Sequence, residues 1–112
     1  MKVDTQLHGS VSVIAPHGPL AGDDVVPFQR ALSQAIELKS GRVVVDMGDV
    51  PYLDSSGIET LLSLCGGAQA ASARPRLAKL GETSREALDL TNVLDKLTIF
   101  DTVESAIRSY KR

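Results

Sequence analysis

Arg42 to Gly67 constrains the fold of this chain more than any other stretch. Arg42-Val43-Val44-Val45-Asp46-Met47 sets three valines in a row with no polar alternation, a pattern that suits a strand covered on both faces. Gly48-Asp49-Val50-Pro51-Tyr52-Leu53 bends the backbone towards Asp54-Ser55-Ser56-Gly57, and Ile58-Glu59-Thr60-Leu61-Leu62 opens a helix. Ser56 and Glu59 have the spacing of a capping box, in which a hydroxyl and a carboxylate satisfy free amides at a helix start. That spacing sets Ser55 just ahead of the helix, beside amide groups and the positive end of the dipole. Such a place favours an added negative group. The functional expectation is that Ser55 accepts a phosphate reversibly and that the domain is a switched binding module. Taken by itself, the same turn favours an ordinary helix cap, and the functional expectation rests on the rest of the chain.

The flanking chain fits an α/β sheet. Val3 to Leu7 and Ser10 to His17 read as strands joined by a His8-Gly9 hairpin turn. Pro16 lacks an amide proton and belongs near a strand end or at an edge. Gly18-Pro19-Leu20-Ala21-Gly22 is a loop, and Asp23 or Asp24 caps a helix running to about Lys39. Pro27 falls in its first turn, where a missing amide proton costs little. Val25, Phe28, Leu32, Ala35, Ile36 and Leu38 form its apolar stripe.

Ile58, Leu61, Leu62, Leu64, Cys65 and Ala68 turn the second helix inward, and Gly66-Gly67 marks a close approach or an early end. Arg76 to Leu80 is the fourth strand. Thr83 with Glu86 opens the third helix, which Asn92 to Lys96 breaks. Leu97 to Phe100 is the fifth strand, and Asp101 with Glu104 caps a last helix lined by Val103, Ala106, Ile107 and Tyr110. The order ββαβαβαβα implies parallel crossovers, with the first strand antiparallel at one edge and about four helices packed on about five strands.

Size and composition narrow the function. The 112 residues suffice for one hydrophobic core and not for two, so residues 1–112 are read as one domain. A net charge of −2 supplies no field for nucleic acid or anionic lipid. Cys65 is the sole cysteine, which excludes an intrachain disulfide and a cysteine-rich metal site. Its place on the apolar face makes it a buried, inert thiol. No apolar run reaches membrane-spanning length, and a reducing, cytoplasmic setting is expected. Ser55 lacks the Gly-x-Ser-x-Gly elbow, and there is no lysine-bearing phosphate loop or metal-ligand cluster. His8 and His17 read as exposed turn residues. Neither catalysis, a cofactor nor a metal is expected.

The element order, with Asp54-Ser55-Ser56-Gly57-Ile58 between third strand and second helix, resembles the STAS family. Its bacterial anti-sigma-factor antagonist branch is the most similar. Gly18-Pro19-Leu20 is similar to a Gly-x-Leu turn of that family. Val44-Val45-Asp46, Val50 and Leu53-Asp54 are similar to its approach to the acceptor, and Thr102 to Ile107 to its final helix.

The resemblance implies a partner switch. The unmodified protein binds an anti-sigma factor that is also a serine kinase; phosphorylation of Ser55 ends the complex, and a PPM-type serine phosphatase restores it. Asp54, Ser56 and Gly57 would shape the acceptor turn, and Gly18, Leu20, Asp23, Ile58 and Glu59 would meet the partner. Glu59 stands where the family usually has a small residue, and Ala21 where an acidic one is common. Both bear on the identity of the partner more than on the fold. Two other outcomes fit the same resemblance: a STAS subunit of a bacterial lipid or anion transport complex, and a partner switch with a non-sigma output such as biofilm control. The oligomeric state is left open.

Overall fold

A computed structural model describes residues 1–39, 42–66 and 74–110. Its strands are β1 (Lys2–His8), β2 (Val11–His17), β3 (Val43–Asp46), β4 (Arg76–Ala78) and β5 (Thr98–Phe100). Its α-helices are α1 (Val25–Lys39), α2 (Ser55–Cys65), α3 (Glu82–Leu90) and α4 (Val103–Arg108). The sheet runs β1-β2-β3-β4-β5, with β1 antiparallel to β2 and the remaining pairs parallel. This is the expected mixed α/β architecture with an antiparallel edge.

The unalternating valines have a direct explanation. Val43 and Val45 belong to the larger core, with Phe28 and Leu32 of α1, Leu61 and Cys65 of α2, and Leu88 of α3. Val44 faces the other way, into a smaller cluster with Val11, Val13, Ala78 and Ala106 of α4. All three valines are fully buried because β3 is the central strand with helices on both faces.

At the helix starts the structure corrects the sequence reading. Asp54, not Ser56, is the N-cap of α2: its Oδ1 accepts the Gly57 amide at 3.0 Å. Ser55 is therefore the first helical residue, and Glu59 lies too deep in the helix to close a capping box. Neither Asp23 nor Asp24 caps α1 through its side chain; both sit in a 3-10 turn, Gly22–Asp24, that leads into it. The α3 cap is Gly81, so Thr83 lies inside the helix. In α4 the capping group is the Thr102 hydroxyl, which accepts the Ser105 amide at 3.0 Å, in place of Asp101 with Glu104.

Smaller shifts follow the same local logic. The hairpin turn is Gly9-Ser10, not His8-Gly9, since His8 still pairs with Val11. Leu38 is 76% exposed and leaves the α1 stripe. Gly66 ends α2, donating its amide to the Leu62 carbonyl at 3.1 Å. Gly67 and Ala68 lie outside the described residues.

Candidate functional site

Two loops leave the same end of the sheet and are stitched together. The Gly18 amide donates to the Asp49 carbonyl at 3.0 Å, Leu20 to Tyr52 at 3.2 Å, and Asp54 back to Leu20 at 3.1 Å. Leu20 and Leu53 thereby form an isolated parallel bridge, and both side chains are buried. The loop after β2 and the loop after β3 act as one platform, and α2 starts on it.

Asp54 fixes that start. One carboxylate oxygen accepts the Gly57 amide within the helix, and the other accepts the Gly22 amide across the loops at 2.9 Å. Gly22 has φ +56°, a left-handed conformation open to glycine at little cost. The Gly22 and Gly57 amides, in that order, hold the Asp54 pKa below its ordinary value of 3.8, against a smaller opposing effect of desolvation. Gly57 is required by contact as well: a Cβ there would lie 2.4 Å from the Leu20 carbonyl oxygen.

The anticipated site residues fall into two groups. Ser55, Ser56, Glu59 and Asp23 are exposed, while Gly18 is partly exposed. Leu20 and Gly57 are buried, and Ile58 packs against the main core. The side chain of Leu20 thus supports the platform from beneath. Beside the turn, a groove of about 400 Å³ runs between Val26 and Gln29 of α1 and Ser56, Glu59 and Ser63 of α2. Val26 is 48% exposed there, and Tyr52 is 46% exposed in the loop before Asp54.

His17 is a feature that sequence reasoning missed. Its Nδ1 lies 2.6 Å from Asp49 Oδ2 and its Nε2 lies 2.8 Å from Asp4 Oδ2. The bond to Asp49, then that to Asp4, raises its pKa above 6.5. The signal was present in the hairpin: pairing Lys2 with His17 brings Asp4 diagonally opposite on the same face.

Chemical alternatives are few. Burial pushes the Cys65 thiol up to about 12, which leaves it protonated and unreactive. No group of three or more His, Cys, Asp or Glu side chains among the described residues could hold a metal ion. What the site offers is an exposed hydroxyl on the first turn of a helix, set in a braced turn beside a shallow groove.

Fold and turn together describe a mixed α/β domain whose braced serine turn stands at the carboxyl ends of β2 and β3. The STAS domain model matches residues 2–106, and the chain belongs to that family. An anti-sigma factor antagonist from Mycobacterium paratuberculosis is similar at TM-score 0.81 and 16% identity, over 99% of this chain and 94% of that one. SpoIIAA in its unphosphorylated form is similar at TM-score 0.73 and 20% identity, over 96% and 94% of the two chains. The phosphorylated form of Bacillus SpoIIAA gives 0.66 at 20% identity, over 95% and 96%. A sulfate transporter family protein from Wolinella succinogenes gives 0.64 at 15% identity, over 91% and 85%. At these identities the likeness speaks to the fold. No curated protein sequence matches the chain.

Proposed function

We propose that this chain is an anti-sigma-factor antagonist working by partner switching in the cytoplasm. With Ser55 unmodified it binds an anti-sigma factor that is also a serine kinase; phosphorylated on Ser55 it lets go, and a PPM-type phosphatase resets it. The observation that carries this reading is the exposed Ser55 hydroxyl on the first turn of α2, held outward by a turn that Asp54 ties on both sides. Asp54, Ser56 and Gly57 support the acceptor turn. The exposed Val26, Tyr52 and Glu59 surround it as the docking face, with Gly18, Asp23 and Ile58 at its margin.

The energetics are sufficient without a change of fold. A phosphoserine adds about −1.5 to −2 charges and three acceptor oxygens. The free helix start tolerates that anion. Against a partner already holding a nucleotide, the same group meets like charge and loses its water. A hundredfold loss of affinity needs only about 2.8 kcal/mol.

Phosphopeptide mapping after incubation with the kinase-type anti-sigma factor tests the proposal. A single phosphate on Ser55 is expected; modification of Ser56, or none, overturns it. The likeness to a sulfate transporter family protein favours a second reading, a STAS subunit of a transport complex. No helix among the described residues is long and apolar enough to cross a membrane. A pull-down from native cells, with and without phosphatase treatment, separates the two: permease components recovered in both arms support transport.

A further inference from the structure

The outer edge of β1 has no strand partner among the described residues. Which of its backbone groups face outward can be read from two independent observations. Gly9, at φ +64°, opens a two-residue turn, and such turns close on a hydrogen-bonded pair, here His8 with Val11. By alternation Gln6, Asp4 and Lys2 also aim their backbone groups at β2. The Ser12 amide, meanwhile, donates to the Arg42 carbonyl on the β3 side at 3.1 Å. Even-numbered residues of β2 therefore face β3 and odd-numbered ones face β1, the same parity. The outward N–H and C=O groups of β1 belong to Val3, Thr5 and Leu7.

Proteins usually blunt an exposed edge with proline, lysine, a bulge or a very short strand. This edge has none of these at its outward positions. The β1–β2 register runs from Lys2–His17 to His8–Val11 without a skipped residue, β1 and β2 are the longest strands of the sheet, and Leu7 is 65% exposed.

We propose that β1 pairs with β1 of a second copy, antiparallel about a two-fold axis at Thr5, joining two five-stranded sheets. That register sets Thr5 opposite Thr5 and Val3 opposite Leu7, and each of these outward pairs exchanges two N–H···O bonds. Val3 of one copy covers the exposed Leu7 of the other. On the opposite face Asp4 meets the amide of Gln6, a donor, so no carboxylate faces a carboxylate. Two-fold symmetry makes the contact isologous and closed, and the dimer does not propagate into a fibre. The acceptor turn lies at the Lys2–His17 end of β1, so antiparallel pairing sends the two turns to opposite ends of the joined sheet and leaves both docking faces open. The inference is independent of the partner switch.

A single-strand edge makes a small contact, in the class of weak, concentration-dependent interfaces. Sedimentation equilibrium up to about 1 mM chain, at the weak end of the affinity scale, should show the weight-average mass rising from monomer to dimer. Thr5→Pro removes an outward amide while leaving the β2 ladder intact, and Leu7→Lys places a charge on the edge. Each should stay monomeric over that range with a native circular dichroism spectrum. Amide exchange of the unaltered chain gives a further readout: Val3, Thr5 and Leu7 gain protection as concentration rises, while Asp4, Gln6 and His8 are protected throughout. A chain that stays monomeric, variants that still dimerise, or protection that rises elsewhere than on these three amides overturns the proposal.

Discussion

The carboxylate of Asp54 reaches back across two loops to accept the Gly22 amide at 2.9 Å, while its other oxygen caps α2 through Gly57. One side chain thus couples the entry to α1 to the start of α2. Asp54→Ala should release both amides and lower the urea midpoint of unfolding, and Asp54→Asn, which keeps one acceptor oxygen, should lower it less. The folded-state pKa is depressed, so the stabilisation is fully present above the unfolded value near 3.8 and is lost as pH falls through the folded one. Acid titration of the unfolding midpoint should therefore fall more steeply below that value for the natural chain than for Asp54→Ala.

Gly57 is held against the Leu20 carbonyl, and a methyl group at this position meets backbone, which cannot rotate away. Gly57→Ala is expected to destabilise the fold by about 1–3 kcal/mol, the range for overpacking a tight contact. Denaturant unfolding measures it. A change below about 0.5 kcal/mol would show that the two loops separate freely.

Ser55 is exposed, and Ser55→Ala should leave stability within about 0.5 kcal/mol of the natural chain. Under the proposed switch, calorimetric titration should show this variant holding the anti-sigma kinase whether or not ATP is present. Ser55→Asp should bind at least about a hundredfold more weakly, equivalent to about 2.8 kcal/mol. Loss of binding by the alanine variant, with its fold intact, contradicts the switch.

Burial on both sides made the central strand legible, because a run such as Val43-Val44-Val45 has no exposed face to mark with polar residues. The exposed serine turn was legible too, although the residue that caps it was not. A Ser-x-x-Glu spacing and an Asp-x-x-Gly spacing overlap here, and the carboxylate of Asp54 takes the amide because a second amide, from Gly22, holds it in place. That second bond is non-local, as are the Leu20–Leu53 bridge and the contact of His17 with Asp49, and pattern reading along the chain does not register them. Leu38 failed for a simpler reason. It lies near the end of α1 at the margin of the face that Phe28, Leu32 and Ala35 bury.

Tyr110 closes the opposite end of the sheet. Its hydroxyl lies 2.9 Å from the Val43 carbonyl and 2.7 Å from that of Arg74, and it accepts from the Val43 amide at 3.3 Å. The Arg76 guanidinium stacks 3.9 Å from the ring centroid and donates to the Ser109 hydroxyl at 2.9 Å. Tyr110→Phe keeps the stack and removes the hydroxyl from a partly buried site. Unfolding should show a loss of about 1–3 kcal/mol, the penalty for leaving buried polar groups unmatched. Binding at the acceptor turn should be unchanged.

His17 joins the edge strand to the loop that carries the turn, and the join depends on a proton. Only the imidazolium can donate from both ring nitrogens, so contact with Asp49 at 2.6 Å and Asp4 at 2.8 Å is complete only in that state. The folded pKa is raised above 6.5, so the stabilisation is fully present below that unfolded value and is lost as pH rises through the folded one. A proton NMR titration of the His17 ring should give a midpoint above 6.5. Asp49→Asn should lower the midpoint more than Asp4→Asn, in keeping with the shorter bond, and the backbone amides of Gly18 and Asp49 should shift with the same midpoint. An unshifted midpoint, or loop amides indifferent to pH in that range, would mean that the two carboxylates leave His17 in solution and the loop unanchored.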